Sequence, residues 1–285
     1  MQSTETLKSL VHDAYSQTAR SLPSASTEQL EHFKRISSAF GYKQGELELA
    51  QGANMGLGCG NPVATANIRP GEVIVDLGCG GGMDVMLASD KVGNLGKVYG
   101  IDMSEDMLTV AEKNVQARNI TNVELIHSSI NSLPVPSNTV DCIISNCVLN
   151  LVPGEEKQAT LREACRILKP GGRLAISDIA EKKPMPEDIK QDATSYVGCV
   201  AGAIDTTLYR QFLAEAGFKD ILILDTNADL SVYQQPASDS SKGGCSGCCP
   251  NTPKPARGGI NEALKYDINE FVGSFTIYAL KPESG

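Results

Sequence analysis

The chain has no uncharged apolar run long enough to cross a bilayer, no basic stripe and only three histidines. The first lack argues against a transmembrane helix, which needs about 20 consecutive apolar residues. The second, with a formal net charge of -9, argues against nucleic acid or an anionic membrane surface as a binding target. The third leaves little for a histidine–acid catalytic pair, since His12, His32 and His127 have no motif around them. The opening residues, Met1-Gln-Ser-Thr-Glu-Thr-Leu-Lys8, also lack the apolar core of a secretory signal, so the expectation is a cytoplasmic protein. In that reducing compartment the nine cysteines are expected to be thiols, and each is explained by burial, catalysis or binding of a soft ion.

With 285 residues, 41% hydrophobic and 21% charged, the chain is an ordinary globular one, long enough for a large core. Helical periodicity covers residues 4–20 and 28–50, the second with Leu30, Phe33, Ile36, Phe40, Leu47 and Leu49 at helical spacing. From Glu72 the pattern alternates. Strands are expected at Val73–Asp76, Val98–Asp102, Val123–His127, Val140–Ser145 and Arg173–Asp178, with helices over 83–91, 104–118 and 155–168 between them. Such alternation builds βαβ units and a parallel sheet, an α/β fold. Two more helices, 186–198 and 205–216, lead to a strand at Asp220–Asp225. The alternating run Phe271–Leu280 is then expected to pair antiparallel with it and close the sheet. Between those strands, residues 234–259 are rich in Gln, Pro, Ser and Gly and read as a loop insertion. Three segments are expected: 1–69 with N-terminal helices, a core over 70–225, and 226–285 carrying the last strand and the insertion.

The first strand runs into a glycine turn, Asp76-Leu-Gly-Cys-Gly-Gly-Gly82. A nicotinamide fingerprint, G-x-G-x-x-G, fails because position 83 is Met. What stands there is D-x-G-x-G-x-G: Asp76 repels a pyrophosphate but attracts an ammonium group. About twenty residues on, Asp102 ends the second strand, where a carboxylate suits two ribose hydroxyls. Together the acids select a cofactor with a ribose and an amino-acid tail, which describes S-adenosyl-L-methionine. These features, with the turn Leu168-Lys-Pro-Gly-Gly-Arg173, make residues 70–225 resemble the class I S-adenosylmethionine-dependent methyltransferases. The resemblance implies a Rossmann-like, seven-stranded sheet, mostly parallel with an antiparallel last strand. It also implies cofactor contacts at Asp76, Gly78, Cys79, Gly80, Gly82, Asp102, Met103, Ser129, Ile130 and Asn146.

Three cysteines stand in polar or chain-breaking settings. Cys59 lies in the glycine-rich loop Asn54–Pro62, Cys147 in Ser145–Pro153, and Cys199 in Tyr196–Ala203. Cys79 reads as a small packing choice, and Cys142 and Cys165 read as buried. The longer motifs are similar to those of the arsenite methyltransferases. That resemblance implies that Cys59, Cys147 and Cys199 hold trivalent arsenic for methylation, with a thiol reductant such as glutathione or thioredoxin. Two features depart from that family. No cysteine precedes Cys59, which bears against a cycle through an N-terminal disulfide. Ser129 stands where an acid often accepts from the adenine amino group, and its neutral bond is worth about 1 kcal/mol. In the insertion, Cys245, Cys248 and Cys249 lack the fourth ligand of a structural zinc site and suit a soft three-coordinate ion. A linker with incidental cysteines is the competing reading. Two other functions share the fold: methylation of a small organic substrate such as a sterol or quinone, and non-catalytic metalloid binding.

Overall fold

A computed structural model describes residues 3–233 and 267–283. Its frame is one seven-stranded sheet in the order β3-β2-β1-β4-β5-β7-β6. The strands are β1 Val73–Leu77, β2 Lys97–Asp102, β3 Val123–His127, β4 Val140–Asn146, β5 Leu168–Glu181, β6 Lys219–Asp225 and β7 Val272–Leu280. The first five run parallel; β7 lies antiparallel between β5 and β6. The expected antiparallel closure by the last strand is therefore found.

The helices are α1 Thr4–Ser21, α2 Thr27–Ala39, α3 Gln44–Leu49, α4 Pro62–Thr65, α5 Met83–Val92, α6 Glu105–Ala117, α7 Gly154–Ile167, α8 Glu187–Gln191, α9 Ala193–Val197 and α10 Thr206–Glu215. Ser26 opens α2 with a capping box: its hydroxyl accepts from Gln29 N, and the Gln29 side chain accepts from Ser26 N. Two expected helices are each split. The 28–50 helix breaks at Gly41, whose φ of 92° is left-handed and ends a helix at small steric cost. The 186–198 helix breaks at Asp192, which stops α8 and whose carboxylate accepts from Ser195 N to start α9. β5 begins at Leu168, earlier than the pattern predicts, because Leu168 already pairs with Val140 before a register shift.

Apolar layers cover both faces of the sheet. On one face Leu77, Ile143, Leu161 and Ile176 pack together; on the other, Ile74, Val85, Val98 and Ile144. Cys142 and Cys165 are buried in these layers as expected. Strand order reverses between β1 and β4, where Asp76 pairs with Ile144 and Leu77 with Ser145. Ligands of open α/β sheets bind at the carboxyl ends of such strands. The glycine turn after β1 and Cys147 after β4 emerge there side by side.

Candidate active site

A cavity of about 330 Å³ opens over this switch point. Of the expected cofactor residues, Asp76, Gly78, Cys79, Gly80, Asp102, Met103, Ser129, Ile130 and Asn146 line it; Gly82 does not and caps α5 with a left-handed φ of 88°. The turn is held from below: Gly78 N and Cys79 N both donate to Ile101 O, at 2.8 and 2.9 Å. Gly80, at φ 51°, would carry a Cβ into open space, so the backbone there is accessible to a ligand. Asp102 shapes the same turn, its Oδ2 accepting from Gly80 N and its Oδ1 from Ser104 N, both at 2.9 Å. A carboxylate has about four lone-pair sites, and the N–H groups of Gly80, Ser104 and Met103 use up to three, which leaves room for a ribose hydroxyl. Burial pushes the Asp102 carboxyl up, against backbone N–H bonds that pull it down.

Asp76 faces a second acid that the motif did not indicate. Asp84, in the first turn of α5, is buried, and burial raises the pKa of both carboxyls; Asp76 is raised further by the charges of Asp84 and Asp102. Tyr42 donates to Asp84 Oδ1 at 2.7 Å, and burial first, then the acid, holds its phenol well above its usual value. The cradle therefore fits S-adenosylmethionine: a ribose acceptor at Asp102, an exposed glycine backbone and two crowded carboxylates suited to an ammonium. An acid also reaches the Ser129 edge of the cavity. Ser129 Oγ donates to Asn131 Oδ1 at 2.8 Å, and Asn131 Nδ2 donates to Glu156 Oε2 at 2.6 Å.

The cysteine calls from sequence need one correction. Cys59 and Cys147 are not thiols but a disulfide, their Cα atoms 6.0 Å apart. Folding, not sequence proximity, joins them: the Asn54–Pro62 loop lies across the end of β4. Among the described residues Cys79, Cys142 and Cys165 are free and buried, and Cys199 is buried as well. Cys199 lies beside the pair, its Sγ donating to Cys147 O at 2.8 Å. Cys147 and Cys199 both adopt left-handed φ, 57° and 65°, uncommon for a residue with a side chain. The chain turns sharply at each, which brings the two segments together. The Cys59 and Cys147 sulfurs and an Asp178 oxygen all lie within 4.8 Å of one another. Cys245, Cys248 and Cys249 lie outside the described residues.

The Cys59 loop is fixed on all sides. Asn146 Oδ1 accepts from Cys59 N at 3.0 Å, Ser274 Oγ donates to Cys59 O at 2.5 Å, and Tyr233 OH donates to Gly58 O at 2.6 Å. The glycines flanking Cys59 are required by close approach. A Cβ on Gly58 would stand 2.6 Å from Asn146 Nδ2, and one on Gly60 2.5 Å from Ser177 Oγ. The sequence reading missed Asp178 and Lys157. Lys157 is buried on α7 and donates to Leu149 O at 2.6 Å. Burial lowers its pKa, while the charges of Asp178 and Cys199 raise it, so a cation stands within electrostatic reach of the cysteine site. On an amphipathic helix this lysine reads as solvated, and nothing in the sequence distinguishes it.

The family model of a methyltransferase domain matches residues 68–217. The arsenite methyltransferase of Halobacterium salinarum is 44% identical over 188 residues, covering 66% of this chain and 48% of that protein. The human arsenite methyltransferase is 37% identical over 140 residues, covering 46% of this chain and 37% of that protein. The chain thus spans less than half the length of these curated relatives. Among solved structures, an arsenic(III) S-adenosylmethionine methyltransferase from Chlamydomonas reinhardtii superposes with a TM-score of 0.59 at 25% identity, covering 88% of this chain and 74% of that one. By its matched domain, its strand order and its glycine-turn cavity, this chain belongs to the methyltransferase-domain family, in its class I S-adenosylmethionine-dependent fold.

Proposed function

We propose that this protein methylates trivalent arsenic, arsenite and methylarsenite, after reduction of the Cys59–Cys147 disulfide frees thiols to bind it beside Cys199. The observation that carries this reading is the contact of two cysteine sulfurs beside the cofactor cavity, which Cys147 lines, with a third cysteine hydrogen-bonded to the same backbone. Soft thiolates select a soft ion, and three of them satisfy trivalent arsenic. The similarity to arsenite methyltransferases supports the same assignment.

S-adenosylmethionine, when bound, supplies an electrophilic methyl group on a sulfonium. Asp102 would hold the ribose, and Asp76 with Asp84 the ammonium. Arsenic held by the cysteines would offer the lone pair that accepts this methyl group, so no side chain need remove a proton from the nucleophile, and the two electrons that return the methylated arsenic to the trivalent state would come from Cys59 and Cys147 as they close their disulfide. The protein contributes chiefly position, which can supply ~7–11 kcal/mol. Lys157 offsets the negative charge of thiolates formed in a buried setting. A small-molecule thiol or thioredoxin reopens the disulfide, and the role served is arsenic detoxification in the cytoplasm. The segment with Cys245, Cys248 and Cys249 gathers substrate for this site.

The test is direct. Reduced protein incubated with arsenite, labelled S-adenosylmethionine and a thiol yields methylated arsenic on speciation. Cys147→Ser and Cys199→Ser each lose nearly all activity on arsenite and methylarsenite, because a hydroxyl is a hard ligand. Cys59→Ser loses arsenite activity but keeps methylarsenite activity, one arsenic valence there already being held by carbon. A Cys147→Ser protein with near-normal rates on both substrates would overturn the assignment.

A further inference from the structure

The side-chain amide of Asn146 joins the cofactor end of the site to the sulfur end, and its hydrogen bonds are over-subscribed. Its Oδ1 accepts from Cys59 N at 3.0 Å. Its Nδ2 faces three acceptors: Gly60 O at 2.8 Å, Tyr42 OH at 2.9 Å and Asp84 Oδ2 at 3.3 Å. An amide nitrogen has two N–H groups, so the three acceptors compete for two protons. Two of the three belong to the acidic end, because Tyr42 OH itself donates to Asp84 Oδ1 at 2.7 Å. The third belongs to the Cys59 loop. The same amide sets how closely that loop can approach, since a Cβ on Gly58 would lie 2.6 Å from its Nδ2.

We propose that Asn146 is a positioning residue that couples occupation of the Asp76–Asp84 end by the cofactor's ammonium group to the placement of Cys59 for arsenic. The inference rests on the proposed function and adds to it. With that end empty, Asp84 competes with Gly60 for the amide protons. An ammonium bound there satisfies Asp84 and leaves the two N–H groups to Gly60 O and Tyr42 OH. Cys59, bonded to the same amide through its backbone, is then held more firmly. By linkage the effect is reciprocal: each ligand tightens the other by the same factor.

The experiment uses the full chain kept reduced by a phosphine, with arsenite and S-adenosylhomocysteine as probes. Calorimetry measures the affinity for each alone and in the presence of the other. In the unaltered protein S-adenosylhomocysteine tightens arsenite binding by about tenfold, within the usual range of coupling between sites. Methylthioadenosine, which lacks the amino-acid tail, gives no such gain. Tyr42→Phe lowers the factor to a few-fold, and Asn146→Ala brings it to one, the factor being the ratio of arsenite affinities with and without S-adenosylhomocysteine in the same variant, so that a change in either single affinity cancels. Tyr42→Phe keeps ring and packing, so the comparison stands even where Asn146→Ala folds poorly. If both probes bind but the coupling is absent in the unaltered protein, equal with methylthioadenosine, or unchanged in Tyr42→Phe and in any folded Asn146→Ala, the coupling is refuted and the function stands. Failure of either probe to bind the unaltered protein would overturn the function, and the coupling with it.

Discussion

Substitution of Gly60 by alanine tests whether the Cys59 loop owes its place to close approach. A Cβ at this position would lie 2.5 Å from Ser177 Oγ and 2.6 Å from Ser177 Cβ. Unstrained carbon contacts begin near 3.5 Å, so the overlap is about 1 Å. Ser177 cannot yield, because it sits inside the sheet on β5, paired with Asn146 and Thr276, and its carbonyl accepts from Cys147 N at 2.7 Å. The loop must move instead, and Cys59 with it. Overpacking of this kind costs ~1–3 kcal/mol, and misplacing a reacting group by about 1 Å can cost on the order of 100-fold in rate. Urea unfolding of the reduced protein and arsenite methylation rates read these two effects separately. Ser177→Gly removes both clashing atoms and leaves only the Cα, 3.8 Å away. The double variant should therefore recover ~1–2 kcal/mol and most of the rate relative to the two single changes, a coupling typical of residues in contact. A Gly60→Ala protein as stable and active as the original, or a double variant no better than the sum of its parts, refutes the argument.

Asp102→Ala should weaken S-adenosylhomocysteine binding by ~1.5–3 kcal/mol, since it removes both the charged acceptor and the anchor of Gly80 N. Calorimetry on a variant with unchanged circular dichroism checks this, and unaltered affinity contradicts it. The ligand-free protein should also lose stability as pH rises, because burial raises the folded-state pKa of Asp76 and Asp84 above the ordinary 3.8. Their contribution is fully present below that ordinary value and is lost as pH climbs through the raised folded values. Asp84→Asn should accordingly melt higher than the original protein at pH 8 and converge with it near pH 4, about the ordinary carboxylate range; parallel melting-temperature profiles would count against it.

The sheet was legible because β-branched runs alternate with amphipathic stretches, and the switch point follows from that alternation. Asp76, the glycine turn and Asp102 announced the cofactor side, since a ribose and an ammonium call for acids at fixed places after β1 and β2. The sulfur side was legible as three odd cysteines but not as a disulfide, because Cys59 and Cys147 are 88 residues apart and only the folded loop joins them. Gly41 was hidden inside a periodic pattern whose two halves pack separately. Tyr42, Asp84 and Lys157 left no mark, being polar residues at positions that a helix pattern assigns to solvent; what buries them is tertiary contact. Asp178 was visible only as the end of a strand.

The hydroxyl of Ser274 on the Cys59 carbonyl spans 215 residues of chain. Contacts of such long range form late, after the loop-closure entropy has been met. During synthesis the β1–β4 half of the sheet, with its cofactor cradle, can assemble well before β7 has left the ribosome. The cysteine loop gains its last anchor only when β7 slides between β5 and β6. A nascent chain would therefore acquire its glycine-turn cradle before it acquires a fixed Cys59 loop.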